Sequence, residues 1–206
     1  MLIGAQPDAA GSVRLAGQEL SGLPIAARIG AGVALVPEDR QREGLVQSLS
    51  VAADLTLASL LQFLRGIAID TAQERSAVML AIRDLLIKVS SPDVEVTVLS
   101  GGNQQKVVIG KAILTKPKLL LLDEPGRGID VGAKAEVFRT MRELAREGLA
   151  VMFATSDLKE VMAVADRIVV MAGGHVSGDF PRAEATEERL VATANLGTSA
   201  GAKVAR

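Results

Sequence analysis

Apolar residues follow two different periods along this chain. From Val51 to about Val89 they recur at helical spacing, as Leu55, Leu57, Leu60, Leu61 and Leu64, then Val78, Ile82, Leu85 and Leu86, with Asp70 or Thr71 placed as caps. That stretch reads as a helical lobe covering about residues 51–98, and "SSPDVEVTVLSGG" leads out of it. A helix is predicted from near Gly102 to before Pro117, since the residue ahead of a proline is pushed out of helical geometry. Then the period changes. "KLLLLD" and "LAVMFATS" read as continuous, buried strands, and "GAKAEVFRTMRELAREG" between them as a helix closed by Gly148. "DLKEVMAVA" follows as a short helix with Asp157 as N-cap, "DRIVVMAGGHVSGDF" as two strands about a Gly-Gly turn, and "EATEERLVATA" as a last helix. Nearer the start, "SVRLAG" alternates like an edge strand, Pro24 opens a helix over "IAARIG", and Val33–Val36 form a short apolar strand ended by Pro37. Strands alternating with helices predict an α/β fold, a mainly parallel sheet covered on both faces. Residues 1–194 form the expected domain, and the Gly-, Ala- and Ser-rich stretch 195–206 a flexible tail.

Composition narrows the function more than the fold. With 206 residues, 49% of them apolar, the chain can bury a sizeable core. The 23 Lys and Arg against 24 Asp and Glu leave no field to attract nucleic acid, so no nucleic-acid partner is expected. No cysteine and one histidine exclude disulfides and Cys- or His-based metal sites. "LTLASLLQFL" is too short to span a bilayer, which needs roughly 20 apolar residues. Nothing after Met1 reads as a secretory signal, and a cytoplasmic location is expected.

Two motifs carry chemistry. "LLLLDEP" places Asp123 and Glu124 at the carboxyl end of a buried strand, where open α/β sheets bind ligands. Asp123 suits holding Mg²⁺ directly or through water, and Glu124 suits polarising an attacking water. Alone, the motif is equally an ordinary strand ending in a charged turn. "LSGGNQQ" upstream changes the balance. Ser100 supplies a hydroxyl, Gly101 and Gly102 permit close backbone approach, and the helix starting there points free N–H groups at an anion.

Together these residues resemble the nucleotide-binding domains of ABC transporters over nearly the whole chain. "LSGGNQQ", with Ser100, Gly101, Gly102, Asn103 and Gln104, is similar to the signature loop that contacts nucleotide in trans; "LLLLDEP" resembles the Walker B strand; "GRGIDVGAK", with Asp130, resembles the D-loop and its helix. "LSGGNQQK" with "RGIDVGAK" is similar to the second cassette of tandem ATP-binding subunits in bacterial ribose, xylose and galactose importers. Two matches to that branch are also departures from the wider family: Glu38 in "VPEDRQREGL" stands at the Q-loop position, and Ser156 in "ATSDLKEV" at the switch-histidine position. A serine cannot act as the cation that histidine provides, so the site on this chain's own carboxylates is expected to be impaired. Gly126 replaces the usual threonine after "DEP". The resemblance implies ATP and Mg²⁺ as cofactors, a second ATP-binding cassette and membrane permease subunits as partners, and a peripheral place at the inner face of the cell membrane. It also makes the "EDRQRE" cluster a permease contact, where a solvated loop is the alternative.

One motif is missing. A P-loop reads G-x-x-x-x-G-K-[ST], because successive N–H groups, a lysine and a hydroxyl must wrap the phosphates. No stretch of the sequence satisfies it; "IGKA" and "GIDVGAKA" fail on spacing and on the hydroxyl, and Lys111 and Lys134 there read as solvated surface charges. "LIGAQPDAAGSVRLAGQEL" resembles the family segment just after the P-loop helix, so the expectation is a P-loop NTPase-like cassette truncated after its Walker A. The absent strand would lie between "LAVMFA" and "RIVVM", leaving two inner edges unpaired. Two functions follow: a segment of an importer ATPase, or a non-catalytic interaction module, the chain by itself being expected inactive. A DNA-repair ATPase of the same superfamily needs a long heptad insertion, for which Val51–Val98 is too short. His175, in the Gly-Gly turn, reads as a surface residue.

Overall fold

The computed structural model describes residue 3 and residues 11–201, the last six of these as backbone only. They fall into two compact units that divide after Ala154.

The first unit opens with a hairpin, β1 (Arg14–Leu15) against β2 (Gln18–Glu19), instead of an edge strand. Ala16 and Gly17 both have positive φ, 49° and 82°, as a two-residue hairpin turn requires. After α1 (Ile25–Gly30), β3 (Val33–Val36), β6 (Leu119–Asp123) and β7 (Ala150–Ala154) form a parallel sheet in the order β3-β6-β7. Two helices cover one of its faces, α4 (Gly101–Ile113) packing on β3 and α5 (Val131–Arg146) on β7, where Phe138 meets Phe153 edge-on at 5.8 Å between ring centroids. On the other face Val33 and Leu121 cluster with Leu20, Val13, Leu15, Leu23 and Ala31 from the hairpin and the end of α1.

β7 departs from the expectation of a buried strand. Its residues alternate between exposed and half-buried, and Met152 is exposed, whereas Leu120, Leu121 and Leu122 of β6 are buried. The reason is position. Among the described residues β7 has a strand neighbour on one side only, β6.

The helical lobe holds α2 (Val51–Thr56), a 3₁₀ stretch (Leu57–Phe63) and α3 (Thr71–Asp84). Ser50 caps α2 through the Ala53 N–H and Asp70 caps α3 through the Gln73 N–H, each satisfying an orphan donor of the first turn. Between them the chain makes a hairpin, β4 (Leu64–Arg65) with β5 (Ala68–Ile69), that the continuing apolar pattern conceals. Gly66, at φ 65°, allows the turn. The lobe seats tightly on α4, where a β-carbon at Gly110 would stand 2.6 Å from Leu55 and 2.9 Å from Leu85.

The second unit holds α6 (Leu158–Val164), an antiparallel pair β8 (Arg167–Ala172) and β9 (His175–Pro181), and α7 (Glu187–Gly201). Ile168, Ala185 and Leu190 form its core with Leu158, Val161, Met162 and Phe180 around them. Gly173 and Gly174, at φ 57° and 81°, make the hairpin turn, and His175 beside them is exposed. α7 continues through the first residues of the expected tail; residues 202–206 lie outside the described residues. No described helix is long and apolar enough to cross a membrane.

Candidate functional site

Parallel β-strands converge their carboxyl ends on one edge of a sheet, and in the first unit that edge gathers four segments: the end of β6, the turn 124–130, the start of α4 and the loop 37–44. Asp123 is the last residue of β6 and is exposed. Glu124 follows at φ 43°, a left-handed conformation uncommon outside glycine, and its N–H donates to the Ala154 carbonyl at 2.9 Å. The turn closes through Arg127 N–H to the Glu124 carbonyl, 3.0 Å, and Gly128 at φ 66°. Asp130 then caps α5, accepting from the Ala133 N–H at 2.9 Å.

Ser100 stands at the N-cap of α4 in extended geometry, but its hydroxyl makes no capping bond to the first-turn N–H groups. It accepts instead from Asn103 Nδ2 at 3.0 Å, while Asn103 Oδ1 accepts from the Lys88 N–H at 2.8 Å. Ser100 is exposed. A helix start left without a side-chain cap keeps its N–H groups and its positive dipole end available to an anion. Gln104 points the other way: it is buried, and its amide donates to the Val96 carbonyl at 3.2 Å, bracing the loop that leads into the helix. The two glycines also answer a packing demand. A β-carbon at Gly102 would stand 2.3 Å from the Ala133 β-carbon, and one at Gly101 would stand 2.8 Å from Arg40 Nη2.

Glu38 forms an ion pair with Arg127, joining the loop 37–44 to the turn after Glu124. Two residues on, Arg40 donates from Nη1 and Nη2 to the carbonyls of Arg127 and Gly128, at 2.8 and 3.0 Å. Burial pushes the Arg40 guanidinium below its ordinary pKa, with Asp39 opposing. Ser156 is exposed and belongs to the second unit, one residue ahead of Asp157, which caps α6 through the Lys159 N–H at 2.9 Å.

Sequence reasoning missed the ionic links that hold this edge in place. Lys106, in the middle of an otherwise apolar helix face, is buried; its ammonium donates to Glu136 of α5 at 2.7 Å and to the Leu86 carbonyl at 2.9 Å. Lys88 reaches the same carboxylate at 3.0 Å. The hydrogen bonds from Lys106 and then Lys88 hold the Glu136 pKa down to about 2. A lysine flanked by "QQ" and "VVI" was the available signal, since burying an ammonium demands a partner. Lys111 is a correction: expected solvated, it lies 2.5 Å from Asp54, whose side chain is fully buried, and Asp54 also accepts from the Val46 N–H at 2.8 Å.

The sequence model of the ABC transporter family matches residues 1–127. The chain is 45% identical over 197 residues to a ribose/galactose/methyl galactoside import ATP-binding protein of Rhizobium etli, covering 96% of this chain and 38% of that protein. It is 46% identical over 168 residues to a xylose import ATP-binding protein of Moorella thermoacetica, covering 81% and 33%. The chain thus spans little more than a third of the length of these relatives. Among solved structures, an ABC transporter component of Clostridium perfringens superposes with a TM-score of 0.76 at 23% identity, covering 95% of this chain and 76% of that one. A dimeric ATP-binding cassette bound to ADP and Pi superposes with a TM-score of 0.70 at 20% identity, covering 84% and 74%. At such identities these two likenesses speak for the fold, an α/β P-loop NTPase-like one. The sequence match, over more than half of the chain, carries the family: the chain belongs to the ABC transporter family, as an ATP-binding domain.

Proposed function

We propose that this chain is an ATP-binding segment of a bacterial sugar importer and that it lends the start of α4 in trans to ATP held on the P-loop of another cassette. The observation that carries the proposal is the α4 N-terminus: Ser100 is exposed, and its hydroxyl is oriented by Asn103 and not spent on capping the first-turn N–H groups. Ser100, Gly101, Gly102 and Asn103 face the nucleotide in this reading, Gln104 braces them from behind, and Asp130 fixes the start of α5 beside them. The relatives named for ribose, galactose and xylose import support a sugar as cargo.

Asp123 and Glu124 fit the chain's own magnesium nucleotide only in part. Among the described residues no three His, Cys, Asp or Glu side chains cluster as a metal site, so Asp123 would give Mg²⁺ one oxygen, with phosphate and water giving the others. Bound there, the ion would neutralise phosphate charge. Glu124, held in its left-handed conformation by the bond to Ala154, would orient a water. The partners are a second ATP-binding cassette and membrane permease subunits contacted by the "EDRQRE" segment, which places the chain at the inner face of the cell membrane. Assembled with both, a Ser100→Arg variant is expected to lose ATP turnover by at least about a hundredfold, the scale of removing a positioned donor. Unchanged turnover overturns the reading.

A second reading is favoured by one observation, that the sequence holds no G-x-x-x-x-G-K-[ST] stretch. In it the chain alone turns over no nucleotide and acts only by docking to its partners; steady Mg²⁺-dependent phosphate release from the purified chain, abolished by Glu124→Gln, overturns it.

A further inference from the structure

We infer that Arg40 is a positioning residue, a clasp that ties the loop 37–44 to both the signature loop and the turn after Glu124, so that displacing that loop moves both. This rests on the reading above that Ser100–Asn103 face a nucleotide.

Arg40 opens a π-helical turn, Arg40–Gly44, whose N-cap Asp39 accepts from the N–H groups of Gln41 and Arg42. Wide turns of this kind are rare and gather at functional places. The guanidinium crosses to a segment nearly ninety positions away in sequence and binds two successive carbonyls, those of Arg127 and Gly128. A planar fork reaches two carbonyls at once; a lysine ammonium is a single point. Arg40 Nε, in contrast, is buried with no hydrogen-bond partner. A side chain left with one buried donor unsatisfied stays in place only because its other bonds outweigh that cost.

The same Nη2 occupies the space a Gly101 side chain would need, with the Gly128 carbonyl oxygen 3.1 Å from that position. The other end of the turn touches α4 two helical turns on, where a β-carbon at Gly44 would stand 3.0 and 3.1 Å from the methyls of Val108. Glu38 and Arg127 add a second strap between the same two segments. The loop therefore grips α4 at its first residue and at its middle, and the Glu124 turn through two carbonyls. It cannot shift as a body without carrying them or breaking the Arg40 bonds.

Hydrogen exchange on the full chain tests this. The amides to follow are those of Arg127, Ala133 and Gln104, bonded to Glu124 O, Asp130 Oδ1 and Ser100 O. Arg40→Ala is expected to speed their exchange about tenfold, the scale of losing hydrogen bonds to a charged group, and Arg40→Lys to recover part of it. Gly101→Ala, which expels Nη2, should reproduce Arg40→Ala, and the double variant should be no faster than either. Wild-type exchange in Arg40→Ala, or additive effects in the double variant, overturns the clasp. In the assembled importer Arg40→Ala should lower kcat for ATP about tenfold with KM within about twofold; a raised KM at unchanged kcat overturns it by placing Arg40 on the nucleotide. If Ser100→Arg leaves turnover intact, the nucleotide reading fails; if Ser100→Arg abolishes turnover while Arg40 variants exchange like wild type, only the clasp fails.

Discussion

Lys111 shows how a single residue is misread when its neighbours in space are unknown. On a helix it has the look of a surface charge, and only the fold brings it to Asp54, which α2 buries completely. Asp54 without Lys111 would be a buried carboxylate with one amide for company, and breaking such a pair costs about 3–5 kcal/mol. Lys111→Met is accordingly expected to lower the unfolding free energy by an amount in that range, and Asp54→Asn added to it to restore part of the loss, as a double-mutant cycle in urea would record. Glu136 gives the pH counterpart. Its pKa in the folded chain, about 2, lies below the ordinary carboxylate value of 4.5, so the stability it contributes is complete above pH 4.5. That stability drains away as pH falls from there towards 2. The thermal midpoint of the wild type should therefore fall more steeply over this window than that of Glu136→Gln, and the two should run parallel above it.

At the scale of elements, sequence pattern located what was periodic. β3, β6, α5 and α6, with Asp70 and Asp157 as caps, stood in the residues, because continuous apolar runs and cap chemistry are local signals. The β4–β5 hairpin did not, since Leu64 and Ile69 kept the apolar rhythm going and only Gly66 betrayed the turn. The candidate site divides in the same way. "LSGGNQQ" and "DEP" were legible as motifs, but the reason Gly102 must be glycine lies 31 residues downstream in Ala133 and is written in no local pattern. Backbone or near-backbone clashes at 2.3 Å are not relieved by a rotamer change. Gly102→Ala should thus cost about 1–3 kcal/mol by urea unfolding and separate the starts of α4 and α5.

The whole molecule consists of two units, each with a core of its own, and that division was not legible at all: continuous α/β alternation through Ala154 and onward gives no hint of it. Nucleotide linkage belongs at this scale. A ligand stabilises a fold only through affinity for it, and the purified chain titrated with Mg-ATP is expected to show no saturable rise in thermal midpoint; a clear saturable rise would contradict this.

β7 has an outcome at the bench as well. A strand that, among the described residues, is hydrogen-bonded along one margin, with Met152 exposed on its face, is a template on which a second polypeptide can lay itself down. Preparations of this chain should turn cloudy as they are concentrated, and Met152→Lys, by setting a like charge on every such margin, should delay the onset of light scattering without lowering the yield of folded material.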